Sequence, residues 1–405
     1  MNNTTNDNSM LGGYRILDLS DYRGFACSKF LSSMGAEVIK IDSPQQSRKR
    51  TTANDLWQLR NLGKKSITLN LESEEGISIF CELVTLSDFV IETFEPGYLA
   101  EKKLDYDELK KINPEIILVS ITPFGQTGPY KNYKGGELIT SAMGGTLDTC
   151  GYPEETPVLE ALDACSFHAT AAASFGAMLA HRERGISGLG QHVDCSMQEV
   201  AASRNTNNLL SYQFDKRKLE RGGNKVRFGI ATVRVVWELK DGYCFHSLMT
   251  GRFGAPANSA LSQWMTDENF DNPMADVDWA SYDRSALDPN TRLEWETAIH
   301  DFFTTKTKAD IKSEGEKRGI RATIANSPDD VLNDQHLTSR GFLQAIQLDD
   351  NLVIQYPEYF LRLSEGHYRI PHHLPSLGKD NEDVFSGLLK LKPEKIKEHK
   401  KSGVL

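Results

Sequence analysis

Short apolar runs rich in β-branched residues alternate with amphipathic stretches through the first third of the chain, and this alternation constrains the fold more than any other feature. Tyr14–Leu19 (YRILDL), Ala36–Ile41 (AEVIKI), Ser66–Leu71, Asp88–Phe94 (DFVIETF) and Ile116–Ile121 (IILVSI) read as strands. Ala26–Met34, Glu74–Leu86 and Asp105–Ile112 read as the helices between them. Strands that are apolar on both faces and separated by helices belong to βαβ units, with the strands parallel and helices on both sides of the sheet. The pattern resumes with a strand at Gln191–Ser196 and a helix at Met197–Tyr212. The expectation is an α/β fold whose large domain is Rossmann-like with a parallel sheet.

The texture changes near Arg221-Gly222-Gly223-Asn224. Val233–Leu239 and Tyr243–Met249 flank Lys240-Asp241-Gly242, a hairpin signal. Helical patterns follow at Asn258–Met265, Leu293–Thr304 and Lys308–Arg318. The expected organisation is a disordered leader over 1–12, a first part of the large domain over 13–221 and a smaller α+β domain over 222–325. Residues 326–405 return to the large domain with a strand-like Leu352–Leu363 and a helix-like Asp380–Leu391. The last stretch, KLKPEKIKEHKKSGVL, reads as a solvated tail or a surface helix.

Charge and composition exclude several functions. A formal net charge of −10 argues against nonspecific nucleic-acid binding, and a polyanionic ligand would need a local basic pocket. No apolar run reaches the length of a membrane span, and the first ten residues lack the basic start and apolar middle of a signal peptide. The 6 cysteines form no CxxC pair, which fits free thiols in a reducing cytoplasm. His168, His181 and the pair His372-His373 form neither an HExxH motif nor a carboxylate facial triad, so no metal is expected. The turn after the first strand, Ser20-Asp21-Tyr22-Arg23-Gly24, is not a GxGxxG loop, and neither a Walker motif nor a GxSxG elbow is present.

One carboxylate stands out. Asp163 opens a long run of small and apolar residues, ACSFHATAAASFGAMLA, that ends in His181-Arg182-Glu183-Arg184. An Asp before such a run reads as a helix N-cap. A helix start also keeps a carboxylate ionised, which suits a carboxylate nucleophile. Gly125, Gly128, Gly135, Gly136, Gly144, Gly145 and Gly151 crowd the segment before it, with Glu137 among them. Such a loop either merely connects elements or lets backbone approach a ligand.

The order of motifs resembles the class III coenzyme A transferases of the formyl-CoA and carnitine type. The matching segments are RILDLS (15–20), MGAEVIKID (34–42), KKSITLNLESEEG (64–76), DFVIETFEPGYL (88–99) and INPEIILVSITPFGQTGPY (112–130). AHRERGISGLGQHVDCSMQE (180–199), GIRATIANSPDDVLNDQHLTSRGFL (319–343) and PSLGKDNEDV (375–384) follow, so the resemblance covers about Gly13 to Leu389. It implies a Rossmann-like large domain joined to a small domain, two chains interlocked as a homodimer, and CoA or acyl-CoA as substrate with no permanently bound cofactor. It also implies that Asp163 is the nucleophile, with Glu160 as fallback, because the spacing from Asp163 to the His181-Arg182-Glu183 turn is about one residue long for the family.

In the implied reaction Asp163 attacks an acyl-CoA thioester to form a mixed anhydride. The CoA thiolate then attacks the aspartyl carbonyl, and the resulting aspartyl-CoA passes its CoA to an acceptor carboxylic acid. Glu137 matches the family's active-site glutamate, and Lys134 a lysine near the CoA phosphates. Thr93, Phe94 and Tyr98 match a CoA-lining segment, and Leu69 and Met197 match apolar CoA contacts. Asp21-Tyr22-Arg23 replaces the family's first-turn glutamine, which leaves Arg23 to touch CoA. Ser43 stands where an arginine is usual, which leaves Arg48, Lys49 and Arg50 to supply charge for the adenosine phosphates. Trp57 and Tyr22 are candidates for the acyl pocket. Two alternatives are an α-methylacyl-CoA racemase, whose histidine would sit where this chain has Gly136, and a CoA-binding protein without catalysis.

Overall fold

Each of the apolar runs of the first third forms a strand of one six-stranded sheet in the computed structural model, which describes residues 9–47, 56–228, 231–349, 352–357, 361–365 and 373–405. The strands are β1 (Arg15–Leu19), β2 (Glu37–Asp42), β3 (Lys65–Thr68), β4 (Phe89–Glu92), β5 (Ile117–Thr122) and β6 (His192–Ser196). They lie in the order β3-β2-β1-β4-β5-β6 and every pairing is parallel. In register, Ile16 of β1 faces Val38 on one side and Phe89 on the other. The chain starts in the middle of the sheet and builds outward twice, so the order reverses between β1 and β4. A crevice outside the carboxyl ends of the strands is expected at that reversal.

Alternation along the strands decides what covers each face. Leu17, Leu19, Ile39 and Ile41 pack on one side with Ile79, Phe80 and Leu83 from α2 (Glu74–Thr85) and Leu109 from α3 (Tyr106–Ile112). Ile16, Val38, Phe89 and Ile91 pack on the other with Cys27 and Leu31 from α1 (Phe25–Ser33) and with α5 (Ala164–Ser187), which follows the short α4 (Glu137–Met143). Ala169, Ala173, Ala177 and Ala180 are among the buried residues of α5. These methyl side chains let the helix lie close to the sheet. A Cβ on Gly176 would come within 2.8 Å of Val193, so glycine is required there for α5 to pass over β6.

The chain divides into two compact units. The larger comprises 1–147, 159–218 and 338–405, and the smaller comprises 148–158 and 219–337. The small-domain boundaries read from the sequence thus move outward, and a separate piece at 148–158 joins them. The smaller unit has a three-stranded antiparallel sheet of Val236–Leu239, Gly242–His246 and Ala322–Ala325. Helices Gly251–Asp267, Pro289–Thr304 and Lys308–Arg318 complete this α+β unit around Trp237, Trp264, Trp295, Phe302 and Phe303.

Several local expectations change. Leu11, assigned to the leader, is buried among the residues packed against the sheet. The helix expected over Met197–Tyr212 breaks at Asn205 into α6 (Met197–Arg204) and a second helix, Thr206–Asp215. The strand at Leu352–Pro357 pairs with Leu343–Asp349, which the sequence reading missed. Of the two readings of the C-terminal stretch, the surface helix holds and the solvated tail does not. The stretch forms a helix, Pro393–Ser402, and buries Ile396, Val404 and Leu405 in the core of the larger unit. The backbone N–H of Asn70 donates to the carbonyl of Val404 at 2.8 Å.

Candidate active site

A cleft of about 820 Å³ opens at the carboxyl ends of β1, β2, β3 and β4, at the point where the strand order reverses. Its wall includes Ser20–Arg23 and Phe25 after β1, Lys40–Ser43 at the end of β2, Leu69–Glu72 after β3 and Thr93–Glu95 after β4. Trp57, Arg60 and Asn61 close one side from the short helix Leu56–Arg60 and the turn after it.

Buried charge fixes this end of the sheet. Asp18 of β1 and Lys64 are both fully buried and 2.8 Å apart. The other Asp18 oxygen accepts from the Ser20 N–H and hydroxyl, and Ser28 also donates to the carboxylate. Burial raises the Asp18 pKa, but the charges of Lys64 and Lys40 and the hydrogen bonds from Lys64 and Ser20 outweigh it and hold the group down at about 2. Lys64 also donates to the Phe25 carbonyl and to Asn61 Oδ1. One ammonium therefore ties β1 to the start of α1 and to the turn that follows Arg60. Asp42 ends β2 with one carboxylate oxygen 3.4 Å from Lys40 and the other buried without a hydrogen-bond partner among the described residues.

The wall after β4 is equally constrained. Thr93 accepts the Asp21 N–H through its hydroxyl and an Arg23 N–H through its carbonyl. Phe94 stacks on Tyr98 with ring centroids 4.3 Å apart, and the Tyr98 hydroxyl donates to Glu72. Glu92 lies buried under this wall and accepts the Phe94 N–H at 2.6 Å. Burial pushes its pKa up to about 7 against the lowering effects of Ser120, the Phe94 N–H and Arg23.

At the start of α5 the structure separates two roles that the sequence left joined on Asp163. The Asp163 carbonyl begins the helix by accepting the Phe167 N–H at 2.9 Å, but its carboxylate caps nothing. Glu137, the first residue of α4, supplies the cap instead. Its two oxygens accept the N–H groups of Cys165 at 2.5 Å and Ser166 at 2.9 Å, and the Ser166 hydroxyl at 2.8 Å. Asp163 and Leu162 both hold left-handed backbone, with φ of 52° and 66°. Asp tolerates that region and Leu does not, so a strained turn presents Asp163. The freed carboxylate lies 3.4 Å from the Arg60 guanidinium of the cleft wall, with both side chains partly exposed.

A family profile described as CoA-transferase family III matches residues 11–381. The chain belongs to CoA-transferase family III. It is a CoA-transferase, as are its curated relatives. It is 28% identical to the succinyl-CoA–L-malate CoA-transferase beta subunit of Chloroflexus aurantiacus, over 98% of both chains. It is 26% identical to the succinate–glutarate CoA-transferase of Agrobacterium fabrum, over 96% of this chain and 98% of that one. Among solved structures, a CAIB/BAIF family protein from Brucella suis superposes with a TM-score of 0.82 at 25% identity, covering 94% of this chain and all of the other.

Of the residues that the family resemblance suggested, Thr93, Phe94, Tyr98, Leu69 and Arg23 line the cleft. Lys134 is exposed and lies 3.8 Å from Glu95, a wall residue. Met197 is not brought to the cleft. It is fully buried under α5, because its place at the start of α6 faces the core. Arg48, Lys49 and Arg50 lie outside the described residues. Glu160, the fallback nucleophile, pairs with Arg204 at 2.8 Å. Sequence reasoning missed Asp18, Lys64, Glu92 and Arg60. A usable signal existed for the first: a charge inside an apolar strand, as in RILDL, must find a buried partner. Among the described residues no helix is long and apolar enough to cross a membrane.

Proposed function

We propose that the protein moves CoA from an acyl-CoA to a carboxylic acid through covalent intermediates on Asp163. The observation that carries this reading is the division of labour at α5: Glu137 occupies the helix N–H groups, which leaves the Asp163 carboxylate free beside the cleft. A carboxylate oxygen attacks the thioester carbonyl, the C–S bond breaks, and the CoA thiolate departs from a mixed anhydride. The thiolate then attacks the aspartyl carbonyl and expels the donor acid, leaving aspartyl-CoA. The acceptor carboxylate runs the same steps in reverse. Splitting the exchange in this way avoids direct displacement between two carboxylates.

An anhydride lies uphill of a thioester, and binding of the remote nucleotide end of CoA offsets that difference. The cleft at the reversal of strand order suits such a ligand. The buried oxygen of Asp42 at the end of β2, unpartnered among the described residues, supports this reading as an acceptor for a ribose hydroxyl. The Phe94–Tyr98 stack supplies an apolar wall. CoA enters as a substrate, no permanently bound cofactor takes part, and the six free thiols support a cytoplasmic site of action.

A racemase reading loses support at Gly136, where the partner histidine would stand. A Cβ there would lie 3.2 Å from the Tyr22 hydroxyl, so a larger side chain would have to displace that ring. An interlocked homodimer is supported by an apolar stripe along one side of α5, where Phe167, Phe175, Leu179 and Ile186 are exposed in the single chain. The relatives transfer CoA among small dicarboxylic and hydroxy acids by name, and we propose substrates of that class.

The test is to incubate the protein with an acyl-CoA, trap the adduct with hydroxylamine or borohydride, and map it by mass spectrometry. The modification is expected at Asp163, and Asp163→Asn is expected to lower transfer by at least about 10³-fold. An unmodified Asp163 under turnover, or transfer that survives the substitution, overturns the assignment.

A further inference from the structure

We infer that Arg60 is the binding residue for the acceptor's carboxylate, and that the charge state of Asp163 controls when it can serve. The inference rests on the proposed nucleophilic role of Asp163. Among the described residues, Arg60 is the cation that forms an ion pair with Asp163, at 3.4 Å. Three other described cations at the cleft have their own partners. Arg23 is held by Asp21 and the Thr93 carbonyl, Lys64 by Asp18, and Lys40 by Asp42. Arg60 itself is held firmly from below. Asn61, the next residue, accepts from the buried Lys64 and donates to the Trp57 carbonyl. The Tyr356 hydroxyl donates to the Leu59 carbonyl. The guanidinium carbon lies 5.2 Å from the centre of the Phe25 ring.

The charges alternate through the reaction. In the resting protein Arg60 is neutralised by Asp163, so a free acid gains little by approaching it. When Asp163 becomes a thioester with CoA, it loses its negative charge and Arg60 loses its counterion. A carboxylate entering at that moment restores the pair, and a guanidinium binds a carboxylate in the planar, two-pronged manner that fixes orientation. One oxygen of the bound acid then attacks the aspartyl carbonyl and the CoA thiolate leaves. That thiolate attacks the acceptor carbonyl of the anhydride, and the carboxylate of Asp163 is released back to Arg60. The arrangement takes the acid only after the CoA has been loaded. It thereby disfavours a resting protein blocked by its own acid substrates.

Direct binding tests this without turnover. Asp163→Asn removes the charge that CoA loading would remove, so titration calorimetry with succinate as the probe should show binding at least about 10-fold tighter than to the unmodified protein. Adding Arg60→Met to Asp163→Asn should abolish that gain. In an otherwise unmodified protein, Arg60→Met should raise the KM for the acceptor acid by about 10-fold or more, and the KM for acyl-CoA by much less. Arg60→Lys should recover part of the loss. Equal binding of succinate with and without Asp163→Asn, or parallel changes in both KM values, overturns the inference. Adduct mapping on the unmodified protein reports separately on Asp163 as nucleophile.

Discussion

Beneath the cleft of the larger unit lie Asp18 and Lys64, fully buried, with the ion pair Lys40–Asp42 beside them and the buried carboxyl of Glu92 across the strand reversal. The core of the smaller unit is built instead from Trp237, Trp264, Trp279, Trp295, Phe302 and Phe303. Among its buried ionisable groups, His246 gives its indole neighbour a carbonyl and directs its own ring to the Arg321 carbonyl, and Lys306 pairs with Glu268. Burying charge costs several kcal/mol per ion unless geometry repays it, so charge concentrated at one end of a sheet needs a reason. In the larger unit the reason is position: Asp18, Lys64 and Glu92 each hold a loop of the cleft wall.

The sharpest break of this contrast is Lys64→Met. It strands Asp18 in the core and should destabilise the larger unit by about 3–5 kcal/mol. The double change Asp18→Asn with Lys64→Met should recover much of that. Four of the five tryptophans lie in the smaller unit, so fluorescence reports mainly on it, while loss of transfer activity reports on the cleft. In urea, Lys64→Met should lower the midpoint of activity loss more than the fluorescence midpoint. Equal shifts would erase the distinction between the two cores.

A smaller effect, opposite in sign in the two units, should appear with pH. Burial raises Glu92 from 4.5 to about 7, so the native state holds a proton that the unfolded chain releases. Its contribution is full below pH 4.5 and is lost as pH rises through about 7. Burial lowers His246 from 6.5 to about 4, against the raising effect of its bond to the Arg321 carbonyl. Its contribution is full above pH 6.5 and is lost as pH falls through about 4. Glu92→Gln should therefore flatten the decline of stability toward pH 8, and His246→Phe the decline toward pH 4, each by about 2 kcal/mol. Melting curves from pH 4 to 8 check both. A slope unchanged by Glu92→Gln would mean that Glu92 is ionised in the native cleft.

The sheet was legible because parallel strands buried on both faces leave uninterrupted apolar runs, as in IILVSI and VIKI. The strand Leu343–Asp349 was not, because Gln344 and Gln347 interrupt its apolar run. The buried end of the chain was missed because Val404 and Leu405 are two residues after a lysine-rich helix, too few to form a pattern. At the site, Asp163 was legible as a carboxylate at a helix start. Its freedom was not, because that depends on Glu137, 28 residues before the Cys165 N–H it accepts. Arg60 was invisible for a similar reason, since 103 residues separate it from Asp163.

The same distance in sequence gives the gentlest test of the comparison, at Glu137. The contacts of this carboxylate are a helix cap and a serine hydroxyl. It thus joins the structural role that dominates the smaller unit to the chemistry of the larger. Glu137→Gln keeps one acceptor oxygen and should cost about 1 kcal/mol, as for loss of a charge-assisted cap. Glu137→Ala frees the Cys165 and Ser166 N–H groups, and the nearest carboxylate along the chain is Asp163 at the N-cap position. Asp163 should then turn toward its own helix and leave Arg60. Transfer should fall by about 10-fold in Glu137→Ala and less in Glu137→Gln, with the larger loss in kcat. Equal losses in the two variants, with urea midpoints unchanged, would instead place Glu137 against the reacting atoms rather than behind them.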